Sequence, residues 1–271
     1  NKFGTWLKQY KDEYGYYDLF LIAADGDVGY TVAQEADLGQ DLEKGTLKNS
    51  PLGKVFQKSK NGTALQDLEP YAPSNNEPCG FVGAPITKNG QFVGVVALQL
   101  PLDAINKIMQ ERTGLGNSGE VYLIGSDKLM RSDSFLDPKQ HTVNASFANP
   151  SKGRVNTEAA NNALAGKSGE GVILDYNNNP VLSAYAPIKV GDLNWAIIAE
   201  IDVAEAFSPV DSNGNEFYKK YIDKYGYYDL FLFNPDGTAF YTAGREADYQ
   251  TNFTNGKYST SNLGDLFRQV M

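Results

Sequence analysis

The sequence predicts an α+β protein of two tandem modules, each a five-stranded antiparallel sheet with helices, followed by the truncated start of a repeated unit. Two observations predict it. Residues 6–57 recur without a gap as residues 217–268, and almost half of the aligned positions are identical. Between residues 16 and 202, two β-rich runs, a helical segment and three further β-rich runs follow one another twice.

The first module is predicted over residues 16–101, after an N-terminal helix over residues 1–15. Aromatic side chains recur every three or four residues in that helix, so they share one of its faces. Ser50 followed by Pro51 is typical of a helix start inside the module. The β-rich runs that predict its strands are residues 17–23, 28–32, 64–68, 80–86 and 91–100.

A helical connector is predicted over residues 102–118 and a second module over residues 119–202. The second module repeats the order of the first, with a helix at residues 158–165. Its strands are predicted at residues 120–125, 129–132, 171–176, 181–188 and 194–201. Residues 203–271 then begin a second copy of the repeat, as a helix and a hairpin, and we expect a longer protein to complete that copy.

The composition of the chain excludes several classes of function. The formal charge of −9 and the lack of a basic stripe argue against nucleic acid as a partner. The single cysteine, Cys79, excludes an intrachain disulfide and a multi-cysteine metal site, so no metal or cofactor is predicted. No apolar run reaches the roughly 18–20 residues that span a bilayer. Any membrane attachment would therefore depend on transmembrane helices outside this fragment.

Two patterns typical of enzymes are better explained as structure. The glycines of Gly114-x-Gly116-x-x-Gly119 match a dinucleotide fingerprint, but they follow a helix and precede a strand. That order is the reverse of the one that places pyrophosphate at a helix N-terminus. His141 is the only histidine, and no serine constellation accompanies it. We therefore predict no catalytic residues.

A candidate ligand site lies on the third strand of the first module. In a regular strand, Asp67, Glu69 and Tyr71 share one face, and Phe81 lies beside them on the next strand. Tyr30, from the second strand, is expected nearby. A carboxylate beside aromatic rings suits an amine or another polar small molecule. The alternative is a solvated strand face next to aromatic residues of the core.

A second candidate follows the second predicted strand of the second module. Arg131 and Asp133 are two residues apart on an extended segment, so their side chains point to the same face. They could bind a small ligand together, or they could pair with each other. Both interpretations stay open at the level of the sequence.

The two modules resemble the double-Cache (PDC) sensor domains, which are PAS-like tandem modules. Three motifs carry the resemblance, which covers about residues 1–208: GLGNSGEVYLIG at residues 114–125, LMRSDS at residues 129–134 and LNWAIIAEID at residues 193–202. The resemblance implies that residues 16–101 are the membrane-distal module, which usually holds the ligand. The family's common amino-acid-binding pattern, an arginine followed two residues later by a tryptophan, is absent, so an amino-acid ligand is not implied.

The resemblance also implies the function. It predicts the periplasmic or extracellular sensing region of an inner-membrane receptor, either a sensor histidine kinase or a chemoreceptor. Such a region binds a small molecule, transmits a conformational change and is not itself an enzyme, and the full-length receptor is expected to be a homodimer. Two alternatives are a structural spacer repeat of a surface receptor and a periplasmic hydrolase.

Overall fold

The computed structural model describes residues 2–208, 210 and 213–271. Its first part is one helix followed by a five-stranded antiparallel sheet with strand order β2-β1-β5-β4-β3. The elements are α1 (Lys2–Glu13), β1 (Leu19–Ala23), β2 (Val28–Thr31), α2 (Pro51–Ser59), β3 (Ala64–Tyr71), β4 (Glu77–Lys88) and β5 (Gln91–Gln99). The α+β class and the five predicted strands of this sheet are confirmed. We call β1–β5 with α2 the first module.

Local sequence signals explain where these elements begin and turn. Gly26 has a φ of +100° in the turn between β1 and β2, a conformation that glycine adopts without strain. The Ser50 side chain accepts a hydrogen bond from the Gly53 amide and caps α2, and Pro51 occupies the first turn. Helix α2 then buries its apolar side against the sheet, where Phe56 belongs to the same core as Phe20 and Phe81.

A bulge interrupts β3. Its pairing with β4 shifts register between Gln66 and Glu69, so the regular alternation of side chains is broken inside the strand. Tyr71 lies in the core of the first module. Asp67 instead bonds to residues of the following sheet. The expectation that Asp67 and Tyr71 share one face is therefore wrong, because a one-residue bulge reverses the faces that follow it.

The second sheet is antiparallel and has four strands in the order β6-β9-β8-β7. Helix α3 (Leu102–Met109) leads into it. Its elements are β6 (Glu120–Ile124), α4 (Val143–Ala148), α5 (Pro150–Gly153), α6 (Glu158–Leu164), β7 (Gly169–Leu174), β8 (Pro180–Val190) and β9 (Leu193–Asp202). We call β6–β9 with α4–α6 the second module. Leu68 from β3 packs into its core beside Tyr122 and Ile198, so the two cores meet at the bulge.

The second sheet differs from the prediction at one strand, because residues 129–132 form only an isolated bridge, between Ile124 and Met130. The Leu123 amide, which would extend the backbone ladder, donates instead to Ser132 Oγ at 2.9 Å. Because the ladder loses this backbone bond, it stops after the single bridge and the segment is not a regular strand.

The remaining residues repeat the beginning of the chain. After α7 (Val203–Ala206) come α8 (Phe217–Tyr225), β10 (Phe231–Phe233), β11 (Ala239–Thr242) and α9 (Asn262–Val270). Ser261 caps α9 as Ser50 caps α2. The strands β10 and β11 form a two-stranded sheet that packs against α7, with the Phe207 and Phe240 rings 5.0 Å apart. The helix and hairpin predicted for residues 203–271 are thus present.

Deleting residues 212–271 should leave the first two modules folded. Each of their sheets has its own core cluster, and neither cluster includes a residue of this tail. We expect the shortened chain to keep a cooperative thermal transition at the temperature of the parent. Calorimetry checks this, and loss of the transition on deletion would mean that the tail belongs to the core of the second module.

Candidate functional site

The interior of the first module contains buried carboxylates. Asp18 is fully buried and accepts hydrogen bonds from the amides of Leu19, Val32 and Ala33 and from the Thr31 hydroxyl. Burial raises the pKa of Asp18, and these hydrogen bonds oppose the rise. The Asp18 side chain therefore holds the turn that follows β2.

Asp37 and Tyr71 form a second buried pair. The Tyr71 hydroxyl donates to Asp37 Oδ2 at 2.8 Å, and the Phe81 ring lies edge-on to Tyr71 at 5.2 Å. Burial raises the pKa of Asp37, against the lowering effect of the Tyr71 hydrogen bond. Asp37 Oδ1 is buried, and no described residue forms a hydrogen bond with it. A buried acceptor of this kind can take a proton or a donor from a ligand.

A cavity of about 710 Å³ lies where β4 and β5 approach the end of α1 and the start of α3. Ser74, Cys79 and Gln99 line it together with Tyr16 and Tyr17. The Gln99 amide group donates to Cys79 Sγ at 3.1 Å and to Ser74 Oγ at 3.4 Å. Gln99 is only 4% exposed, and among the described residues its Oε1 has no hydrogen-bond partner. A side chain that lines this cavity therefore carries a buried acceptor without a partner.

Glu35 connects this wall to the aromatic side of the cavity. The Ser74 hydroxyl donates to Glu35 Oε2 at 3.2 Å, and the Tyr17 hydroxyl donates to Glu35 Oε1 at 2.7 Å. The second bond raises the pKa of Tyr17 to about 12. Burial raises the pKa of the Cys79 thiol to about 11, so the thiol is neutral and not a nucleophile near neutral pH. The arrangement is suited to binding and offers no activated nucleophile.

The repeated copy carries part of the same polar set. The Tyr228 hydroxyl donates to Glu246 Oε1 at 2.6 Å, as Tyr17 does to Glu35. Asp248, the counterpart of Asp37, also has a buried Oδ1 without a partner. The sequence reasoning did not select Tyr17, Glu35 or Gln99. The repeat contained a signal for the first two, because both tyrosines and both glutamates lie in the identical positions of the alignment.

The predicted site residues of the first module separate into three places. Tyr71 and Phe81 lie together in its core, and both are fully buried. Tyr30 lies on the side of the sheet that α1 covers, where its hydroxyl donates to the Gly4 carbonyl at 3.3 Å. Asp67 forms an ion pair with Arg131 of the second module. The structure thus joins residues that the sequence had assigned to two separate sites.

Arg131 and Asp133 do not pair with each other. The Arg131 guanidinium donates to both carboxylate oxygens of Asp67, at 2.8 and 2.9 Å, and contacts Asp127 at 3.0 Å. Asp133 accepts hydrogen bonds from the Asn106 side chain at 2.9 Å and from the Val143 amide at 2.7 Å. It therefore ties α3 to the start of α4.

The second module also has a polar interior. Glu120 and Glu200 lie opposite each other on β6 and β9, and they are 3% and 5% exposed. Hydroxyls of Ser134 and Tyr176 donate to Glu120, and those of Tyr122 and Ser183 donate to Glu200. Burial, more than neighbouring charge, raises the pKa of Glu200 to about 7.

The sole histidine borders this interior. The His141 ring stacks on Tyr176 at 3.9 Å, and its Nδ1 is 2.8 Å from Asp137 Oδ2.

Over residues 2–208, 210 and 213–271, no group of three or more potential ligands is arranged to hold a metal ion. In the same described ranges, every helix is too short or too polar to cross a membrane.

Two antiparallel sheets in tandem, each with its helices, are the fold of PAS-like modules such as Cache domains. The chain belongs to the Cache domain family, which matches it over residues 1–210. The predicted resemblance to this family is confirmed. No curated protein matches the chain in sequence.

Solved structures of chemoreceptor domains are similar to the chain. The ligand-binding domain of the Pseudomonas fluorescens chemoreceptor CtaA, in complex with L-serine, is 17% identical, with 74% of this chain and 79% of that chain covered and a TM-score of 0.48. The ligand-binding domain of the Pseudomonas aeruginosa amino-acid chemoreceptor PctB, in complex with L-Arg, is 17% identical, with coverages of 73% and 76% and a TM-score of 0.48. That of PctC from the same organism, in complex with GABA, is 16% identical, with coverages of 69% and 74% and a TM-score of 0.47.

Proposed function

We propose that this chain is the ligand-sensing domain of a transmembrane receptor and that it binds a small molecule in the cavity beside Gln99. The observation that carries the proposal is Gln99, which lines the cavity and whose buried Oε1 has no hydrogen-bond partner among the described residues. Leaving a buried acceptor unsatisfied costs about 1–3 kcal/mol. A ligand that donates a hydrogen bond to this oxygen recovers that energy.

The ligand is a small polar molecule with at least one hydrogen-bond donor. Gln99 Oε1 needs a donor. The charged residues of the lining are Lys11 and Lys107 with Glu77 and Asp103, so the lining favours neither a cation nor an anion. Tyr16 and Tyr17 add aromatic surface to the cavity wall. This site replaces the predicted one at Asp67.

Binding would stabilise one conformation of the first module, and the receptor would transmit that conformational change to its output domain on the other side of the membrane. In this proposal the domain lies on the periplasmic or extracellular side, works as a homodimer in the full-length receptor and catalyses no reaction. A sensor histidine kinase and a chemoreceptor are the two expected outputs. The sequence outside this chain decides between them.

Thermal-shift measurements with a panel of small amines, amides and carboxylic acids test the site. A ligand at 100 times its dissociation constant adds about 2.7 kcal/mol to the stability of the folded state, and the midpoint rises accordingly. We expect Gln99→Leu to weaken the compound that binds at least about tenfold, because its donor then faces an apolar group.

The matched control is Gln91→Leu, at the exposed end of the same strand. It should leave the affinity unchanged. The site is wrong if the two variants bind the compound equally well. A panel in which neither amines, amides nor acids raise the midpoint would speak against the sensing function and for a structural spacer.

A further inference from the structure

We propose that the ion pair between Asp67 and Arg131 is the contact that couples the two modules, so that the first module cannot change its β3 strand without disturbing the second. The coupling is a property of the folded chain and does not depend on the proposed function. A role of the coupling in signalling does rest on the proposed function. Nothing in the cavity is required for the ion pair to form.

The geometry of Asp67 supports this role, because most of its hydrogen bonds cross between the modules. Arg131 Nε donates to Oδ1 at 2.8 Å, and Arg131 Nη2 donates to Oδ2 at 2.9 Å. The Trp195 indole also donates to Oδ1, at 3.2 Å. Two parallel bonds between a guanidinium and a carboxylate hold both groups in one orientation. The position of Asp67 therefore depends on two elements of the second module.

The surroundings of Arg131 are shaped for this contact. The side chain is 2% exposed, and the Phe147 and Trp195 rings lie 5.2 and 6.0 Å from the guanidinium carbon. A Cβ on Gly125 would lie 2.2 Å from that carbon, so only glycine leaves room for the guanidinium. A buried cation needs a paired anion, because an uncompensated charge in the interior costs several kcal/mol.

The same strand connects this ion pair to the cavity. Asp67 lies in the bulge of β3, and the strand ends four residues later at Tyr71, which bonds to Asp37. Ser74, in the wall of the cavity, lies in the short 3-10 turn that follows the strand. Leu68, next to Asp67, is buried in the core of the second module. If the Tyr71 end of β3 is displaced, the movement therefore strains two contacts at the bulge, the Asp67 ion pair and the packing of Leu68.

Asp67 could couple the two modules, or it could only neutralise the charge of Arg131. Two isosteric variants distinguish these two effects. Asp67→Asn and Asp127→Asn each remove one negative charge from the same guanidinium. Asp67 belongs to the first module, whereas Asp127 belongs to the same module as Arg131. In both variants Arg131 keeps one carboxylate, so neither leaves a buried charge wholly unpaired.

Differential scanning calorimetry of the full chain measures the coupling. We expect the parent and Asp127→Asn to unfold both modules in one transition, and Asp67→Asn to unfold them in two. Hydrogen exchange assigns the transitions, since amides of one sheet should then exchange at temperatures that leave the other protected. Should Asp67→Asn fail to fold, Trp195→Phe removes the indole bond to Asp67 and part of the ring beside Arg131, and it should broaden or split the same transition.

A single transition for both modules in Asp67→Asn, or separate transitions of the two modules in the parent, would overturn the coupling. The signalling use has its own readout. A compound that stabilises the first module should protect amides of the second module in Asp127→Asn but not in Asp67→Asn. If no compound binds, the proposed function fails while the calorimetric result still decides the coupling.

Discussion

Replacing Phe81 with alanine should lower the free energy of unfolding by about 3–5 kcal/mol, as expected for a large aromatic side chain removed from a core. Phe81 is fully buried and lies edge-on to Phe20 at 5.9 Å and to Tyr71 at 5.2 Å. The substitution leaves a cavity between α2 and the sheet that these neighbours cannot fill. Chemical denaturation monitored by circular dichroism measures the loss.

The experiment also separates two interpretations of Phe81. A ligand contact would lose affinity on substitution and keep the stability of the free protein, whereas a core residue would lose stability in the absence of any ligand. Phe92→Ala is the control, because Phe92 is partly buried and packs at the edge of the same core. It should cost less than Phe81→Ala. Equal, small losses in both variants would contradict the assignment of Phe81 to the core.

The order of elements could be predicted because it depends on local chemistry. The aspartate and glycine turn after β1 and the serine-proline start of α2 act over a few residues, and the structure has both. The internal repeat gave a further check, since the second copy forms the same helix, hairpin and capped helix. The bulge in β3 could not be predicted in this way, because a strand with one extra residue has the same kinds of residues as a regular strand.

That bulge explains why the candidate site was only partly predicted. Alternation assigns Asp67 to the face of Tyr71, and the register shift moves it toward Arg131. A pair of residues 64 positions apart has no local signal that links them. The fifth strand of the second sheet was wrong for a related reason, since the Leu123 amide bonds to the Ser132 hydroxyl and not to the backbone opposite it. Side-chain partners overrode local preference in both cases.

Glu200→Gln should make the chain more stable at pH 8 and leave it unchanged near pH 4.5. Burial raises the pKa of Glu200 from its ordinary 4.5 to about 7, and the nearby carboxylates of Asp175 and Glu120 add to the rise. Below about pH 4.5 the group is protonated in the folded and unfolded states alike. Between there and pH 7 the unfolded chain releases the proton while the folded chain keeps it, so stability falls as pH rises.

The loss is complete above about pH 7, where the folded protein also carries a charged Glu200 among buried groups. It amounts to about 3 kcal/mol, at 1.36 kcal/mol for each pH unit between the two pKa values. Glutamine is neutral at every pH, so the variant avoids this loss. Its Oε1 accepts from one of the two hydroxyls, Tyr122 or Ser183, and its NH2 group donates to the oxygen of the other.

Denaturation at a series of pH values, with Glu170→Gln as an exposed control in the same module, isolates the effect. Burial also raises the pKa values of Asp18 and Asp37, so the parent retains some pH dependence from other sites. The difference between parent and Glu200→Gln cancels those contributions and should grow from pH 4.5 to pH 7 and then stay constant. A difference that is flat across this range would mean that Glu200 keeps its charge when it is buried, and that its hydroxyl partners compensate for the lost water.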